Sequence, residues 1–149
     1  MTTDLAAGVT LTDPALFRQA CYVDGAWITA GTGATITVDN PATGEPVGVV
    51  PKLDVADTRR AIDAAARALP AWRTTTAKER ARVMRRWFEL MMEHQEDLAR
   101  LMTTEQGKPL AESRGETAYA ASFLEWFGEE AKRVYGETIP GPQGDKRVL

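Results

Sequence analysis

Val47-Gly48-Val49-Val50-Pro51-Lys52-Leu53-Asp54-Val55-Ala56-Asp57-Thr58 is the stretch at which the hydrophobic period of this chain changes. Upstream of it, Thr35-Ile36-Thr37-Val38 and Val47-Gly48-Val49-Val50 flank Asp39-Asn40-Pro41-Ala42-Thr43-Gly44, a cluster of turn formers between two β-prone runs. Further upstream, Tyr22-Val23-Asp24-Gly25-Ala26-Trp27-Ile28 sets Asp-Gly between β-prone residues, and Asp-Gly supplies the positive φ values that a tight hairpin turn demands. Two hairpins are therefore predicted. Downstream, Asp54 is a good N-cap, and Val55, Thr58, Ile62, Ala65 or Ala66, and Leu69 recur at helical spacing. The spacing predicts a helix over 55–69, closed by Pro70.

Thr76 with Glu79 three positions later forms a capping box for a second helix. Met84, Trp87, Phe88, Met91, Leu98, Leu101 and Met102 mark one face of it through to Gly107. Pro109 suits a first helical turn, and Leu110, Ala118, Ala121, Leu124, Phe127, Ala131 and Val134 carry a third helix to Gly136, a natural C′ residue. The result is β-hairpins followed by three long helices, an α/β chain without the βαβ alternation of a complete parallel sheet. Residues 1–15 read as a loose tail, 16–135 as one unit, and 136–149 as the start of a strand region. Lys146-Arg147-Val148-Leu149 resembles a strand cut near its beginning, so the chain reads as truncated.

The 149 residues are 44% hydrophobic and 26% charged, the balance of a globular unit able to bury a modest core. A net charge of -3 with interspersed Lys and Arg supplies no basic stripe, which argues against nucleic acid as a partner. No run is apolar enough to span a membrane, and Met1 to Gly8 lacks the cationic and apolar regions of a signal peptide. A cytoplasmic address is expected by default. Cys21, the single cysteine, cannot form an internal disulfide.

Few residues suggest chemistry on their own. Nothing beside Cys21 promises to lower a thiol pKa, so it reads as a small residue next to the first strand. His94 lies within a predicted helix without a second ligand at metal spacing, and no metal site is expected. Gly31-Thr32-Gly33 lacks the third glycine of a dinucleotide fingerprint and precedes a strand, so it reads as a loop. Glu112, Glu116, Glu129 and Glu130 alternate with Arg114, Lys132 and Arg133 in the manner of a solvated helix face with i,i+4 pairing. Trp72, Trp87, Phe88, Phe123, Trp126 and Phe127 read as a buried aromatic layer. Gly115, inside the third helix, predicts a close backbone approach, because an interior glycine costs about 1 kcal/mol against alanine.

Val38-Asp39-Asn40-Pro41-Ala42-Thr43-Gly44-Glu45, Glu105-Gln106-Gly107-Lys108-Pro109, and Tyr135-Gly136-Glu137-Thr138-Ile139-Pro140-Gly141, in that order and spacing, resemble the N-terminal part of the aldehyde dehydrogenase superfamily. Leu16-Phe17-Arg18-Gln19, Ala68-Leu69-Pro70-Ala71-Trp72-Arg73, Leu90-Met91-Met92-Glu93-His94-Gln95, Tyr119-Ala120-Ala121-Ser122-Phe123 and Glu125-Trp126-Phe127 look specifically like the bacterial succinate-semialdehyde dehydrogenases. The resemblance runs from about Leu16 to Leu149 and places 16–135 in the N-terminal part of an NAD(P)-binding domain whose sheet is incomplete.

The resemblance implies a larger enzyme that oxidises succinate semialdehyde to succinate in 4-aminobutyrate catabolism, with NADP or NAD as acceptor and a cysteine thiohemiacetal on the path. It also implies that the cysteine, the glutamate base, the oxyanion-hole asparagine and the nucleotide site all lie downstream of Leu149. No catalytic or cofactor-binding residue is then expected in this chain, which should be inactive alone, bind no nucleotide tightly and expose apolar surface. Tyr119 and Phe123 match a helix that lines the substrate tunnel in relatives. Glu105, with the backbone near Val38 and Asp39, matches a monovalent-cation site of some members, although a helix-end carboxylate is the plainer reading. Residues 136–149 match the lead into strands through which subunits assemble as homotetramers or homodimers. Another aldehyde as substrate, or a non-catalytic helical interaction module, are the alternatives.

Overall fold

Asp24 and Gly25 take positive φ values of 51° and 81°, and the turn they make closes β3 (Cys21–Val23) onto β4 (Ala26–Ile28), with Tyr22 opposite Trp27. The computed structural model describes residues 9–145, together with the backbone of Thr3–Asp4 and Arg147–Val148. The second predicted hairpin is present as β5 (Thr35–Asp39) and β6 (Pro46–Pro51), antiparallel, with a register shift between Val38 and Asp39. Asn40 organises its turn, the side-chain Oδ1 accepting from the Ala42 N–H at 2.9 Å and the carbonyl from the Gly44 N–H at 2.7 Å.

Four helices follow. The first, α1 (Val55–Thr74), starts where Asp54 caps it, its carboxylate accepting from the Asp57 N–H at 2.9 Å. It does not stop at Pro70 as expected, but runs one turn further. The proline forfeits one intrahelical bond, while Thr74 and Thr75 hydroxyls donate to the carbonyls of Ala71 and Trp72 and satisfy the frayed end. Helical spacing was legible, but the burial it suggested is not realised. Val55, Ile62 and Leu69 are exposed, and Ala64 is the one apolar residue of α1 that is buried. The Asp24-Gly25 turn lies beside Ala61, Ala64, Ala65 and Ala68, and Arg67 pairs with Asp24 at 3.0 Å.

Thr76 and Glu79 form the predicted capping box at the start of α2 (Ala77–Glu93). The expected long helix is divided at His94, whose φ of -102° and ψ of 16° leave the helical range; α3 (Gln95–Gln106) continues from there. His94 is thus a joint between two helices rather than a helix-interior residue. Its N–H still donates to the Leu90 carbonyl and its carbonyl accepts from Leu98, so the break does not orphan the backbone. Gly107 ends α3 in the left-handed conformation, φ 75°, with Pro41 of the Asn40 turn packed where a Cβ would stand.

The last helix, α4 (Leu110–Glu130), ends six residues before Gly136, in two turns at Ala131 and Lys132. Its buried residues are Ser113, Thr117, Ala121 and Gly128, all small. They pack against α3 and α2. A Cβ on Gly128 would sit 3.4 Å from the Met84 Cβ and 3.7 Å from the Ala81 carbonyl oxygen, which marks this glycine as the close helix approach. Gly115, the glycine expected to have that role, faces open space. Ser113 and Thr103 join α4 to α3 by a hydroxyl pair at 2.8 Å. Arg114 pairs with Glu96 of α3 rather than within its own helix, whereas Lys132 and Arg133 pair with Glu129 and Glu130 at i,i+3.

The chain ends are not both loose. Within the expected tail, β2 (Thr10–Leu11) pairs with β1 (Thr3–Asp4) and packs on α3, burying Val9 and Leu11; Leu11 supplies apolar side-chain area that the tail reading overlooked. Beyond α4, β7 (Ile139–Pro140) pairs antiparallel with β8 (Arg147–Val148), so the strand expected near residue 146 has a partner within the chain. Lys146 and Leu149 lie outside the described residues.

Two outcomes are expected. Gly115→Ala should stabilise the chain by about 1 kcal/mol, read as a higher urea midpoint, since it adds helix propensity where nothing is displaced; a lower midpoint would mean that something does approach this face. Hydrogen bonds from Arg114 and Arg100 pull the Glu96 carboxyl from 4.5 down to about 2. Because the folded value is depressed, the pair contributes fully above about pH 4.5 and is lost as pH falls through about 2. In Arg114→Gln, the Glu96 carboxyl carbon followed by NMR should titrate closer to 4.5; an unchanged curve would show that the pair does not form in solution.

Candidate functional site

Gly115, Tyr119, Phe123 and Phe127 recur every four residues and so stack on one face of α4, opposite the small residues that pack on α2 and α3. Tyr119 and Phe123 meet edge to face at 4.9 Å and 82°, and Phe123 stacks on Phe127 at 6.4 Å and 16°. Tyr119 is 67% exposed and Phe123 46%, with Phe127 and Trp126 also exposed. The aromatic layer expected to be core is largely a surface. Buried small residues and exposed aromatics invert the usual order of an amphipathic helix.

Arg85 borders this face. Its guanidinium donates to Glu89 on α2 and to Glu125 on α4, at 3.0 and 3.1 Å, and lies 5.0 Å from the Phe88 ring. The hydrogen bond to Glu89 holds the Arg85 pKa above its ordinary value, and the guanidinium is in any case a permanent cation. Together with Ser122, Phe123, Glu125, Trp126, Phe127 and Glu129 it lines an open hollow. The surface is apolar in its middle and charged at its rim. Trp87, Val83 and Leu90 extend exposed apolar area along α2, contrary to the expectation that Trp87 belongs to the buried face.

Glu105 lies elsewhere, exposed in the last turn of α3. It lines a cleft of about 110 Å³ with Phe17, Gln19, Val38, Val47 and Leu101, among others. The structure therefore brings Glu105 and Val38 to one cleft, with Asp39 outside its lining. The neighbouring Gln19 Oε1 is taken up by the Val49 N–H at 2.7 Å. Cys21 is half-buried opposite Ile28, with neither His94 nor the aromatic face beside it in the hairpin register. Among the described residues, no group of three or more His, Cys, Asp or Glu side chains is placed to hold a metal ion, and no helix is long and apolar enough to cross a membrane.

Sequence reasoning picked out Tyr119 and Phe123 but not the continuation of the row through Phe127. The i,i+4 spacing of residues 119, 123 and 127 carried that signal. Two other residues were missed outright, the close-packed Gly128 and the buried Asp97. Neither has a sequence signature, because each is defined by what a distant segment brings against it.

Residues 27–149 match the profile described as the Aldehyde dehydrogenase family. The chain is 70% identical over 139 residues to a glutarate-semialdehyde dehydrogenase of Pseudomonas aeruginosa and 63% identical to an Escherichia coli protein named succinate-semialdehyde dehydrogenase (NADP(+)). Each alignment covers 93% of this chain but 29% of the relative, so the chain spans under a third of the length of these relatives. A crystal structure described as an Escherichia coli NADP dependent enzyme superposes with a TM-score of 0.89 at 64% identity, over 92% of this chain and 28% of that one.

The aromatic face of α4 should bind an environment-sensitive apolar dye. Replacing Phe123, Trp126 and Phe127 by serine should lower that binding while far-UV circular dichroism keeps its helical signal; unchanged dye binding would place the accessible apolar surface elsewhere.

Proposed function

Because the chain belongs to the aldehyde dehydrogenase family, we propose that it is the N-terminal part of an NAD(P)-dependent enzyme that oxidises a carboxylate-bearing semialdehyde, succinate semialdehyde to succinate or glutarate semialdehyde to glutarate. The observation that carries this reading is 63–70% identity over 139 residues to proteins named for those two substrates. NADP is the favoured acceptor, since the similar Escherichia coli enzyme is named for NADP(+) and the similar Escherichia coli crystal structure is that of an NADP dependent enzyme. A cytoplasmic enzyme of 4-aminobutyrate catabolism, assembled as a homotetramer or homodimer, is the corresponding whole.

The residues described here do not fit the nucleotide. Gly31-Thr32-Gly33 links β4 to β5 and opens no helix. The strand-to-helix step from β6 to α1 runs through Lys52-Leu53-Asp54, without glycine, and puts Asp54 and the buried Asp57 at the helix N-terminus. The Asp54 carboxylate already holds the Asp57 N–H, and the two acids place negative charge at the positive dipole end that a pyrophosphate would need. The nucleotide site and the reacting groups are accordingly assigned to the remainder of the enzyme, and this chain to the walls of the substrate route. Tyr119 and Phe123, continued by Phe127, present an apolar wall that excludes water from an aldehyde passing along it. The Tyr119 hydroxyl is the polar group at one end. For Glu105 a helix-end role is preferred.

The isolated chain should form no NADPH or NADH from either semialdehyde. A chimera in which it replaces the matching portion of the Escherichia coli relative should form NADPH, and Phe123→Ala in that chimera should raise KM more than it lowers kcat. A folded but inactive chimera would overturn the assignment. Nucleotide reduction by the isolated chain would overturn the placement of the reacting groups, and a KM untouched by Phe123→Ala would remove Phe123 from the substrate route.

A further inference from the structure

The N-terminal hairpin meets the helical layer through a short segment ending at Asp13. Leu11 is completely buried and Val9 nearly so. The next two residues give their backbone N–H groups to the two oxygens of one carboxylate: Thr12 donates to Asp97 Oδ1 at 2.9 Å and Asp13 to Oδ2 at 2.8 Å. Asp97 is 3% exposed and sits in the first turn of α3, where the helix dipole favours an anion. Burial alone would raise its pKa, but the hydrogen bonds from Thr12 and Asp13 outweigh it and hold the carboxyl below the ordinary range. One turn on, Arg100 reaches toward the Thr10 carbonyl at 3.4 Å, beside Thr103, Thr104 and Leu110.

A carboxylate that spends both oxygens on consecutive N–H groups 84 and 85 residues away reads extended main chain, and Leu11 is the side chain seated with it. On the other side, the segment leaves through a turn that satisfies itself. The Asp13 side chain accepts from the Ala15 N–H, and the Asp13 carbonyl from the Leu16 N–H. That turn needs nothing from α3. The contacts that join α2, α3 and α4 include Gly128 on Met84, Thr103 with Ser113, Arg85 with Glu125 and Glu96 with Arg114, and of these the Glu96 pair touches the segment's own contacts, through Arg100, which also donates to Glu96 at 3.0 Å.

We propose that residues 9–13 are a strap on the helical layer, with Asp97 as its clasp and Leu11 as its plug, which opens as a unit while α2, α3 and α4 stay packed. Opening uncovers a groove on α3 that holds the Asp97 carboxylate, the Arg100 guanidinium and the hole vacated by Leu11. The segment's contacts, which include the pairing of Thr10 and Leu11 with Asp4 and Thr3, meet those of the helices at Arg100 and at Asp97 on α3.

Hydrogen–deuterium exchange of the full 149-residue chain tests this without any variant. Amides of residues 10–13 should exchange faster than those of residues 117–124 in α4, yet slower than those of the exposed Thr43–Glu45 turn. Asp97→Asn, which keeps the shape but removes one acceptor oxygen, should speed exchange at 10–13 by about tenfold and leave 117–124 unchanged. Leu11→Ala should act in the same direction through the plug. Exchange at 10–13 as slow as in α4, or a variant that speeds both regions equally, would make the segment part of the helical core and overturn the strap. Exchange at 10–13 unchanged in both variants would remove Asp97 and Leu11 as its fastenings. Should Asp97→Asn fail to fold, the wild-type ratio and Leu11→Ala decide alone.

Discussion

The rest of this structure depends on the small residues of α4. Ser113, Thr117, Ala121 and Gly128 let the helix lie close to α2 and α3, and Gly128 comes so near Met84 that a Cβ there would stand 3.4 Å from its Cβ. The interface gains from close packing what it lacks in large side chains. Polar groups within it are accounted for, Ser113 with Thr103 and the Thr117 hydroxyl with the Ser113 carbonyl. Arg114 on Glu96 and Arg85 on Glu125 fasten the same helices from the exposed side, where ion pairs contribute little in water but favour one register.

That arrangement has a cost on the opposite face. With its small residues turned inward, α4 turns Tyr119, Phe123 and Phe127 outward, and α2 adds Val83, Trp87 and Leu90. Apolar area of this kind is kept by a protein that has a use for it. The semialdehyde dehydrogenases this chain resembles are more than three times as long as the matched segment. In the proposed function this aromatic row is a wall of the substrate route.

Local chemistry was legible wherever a few adjacent residues settle the conformation. Asp24-Gly25 made its turn, Thr76 and Glu79 their capping box, and Asp54 its cap. Other helix ends were misplaced: α1 passes Pro70, the middle helix breaks at His94, and α4 stops short of Gly136. Apolar periodicity identified the helices, but it does not say which of two apolar faces a neighbour covers. Trp87 and the aromatic row on α4 were assigned to a core for that reason.

The amino-acid sequence by itself determined the order of hairpins and helices, most of their starts, and the family resemblance, because turn chemistry, capping and motif spacing act over a few residues. Tertiary structure decided the rest. It chose Gly128 over Gly115 as the point of helix contact, sent Arg114 to Glu96 across a helix boundary, gathered Glu105 and Val38 around one cleft, and seated Thr12 and Asp13 on Asp97. Each of these joins groups brought together only once the helices pack, and a packing geometry is a property of pairs of surfaces that no single segment encodes.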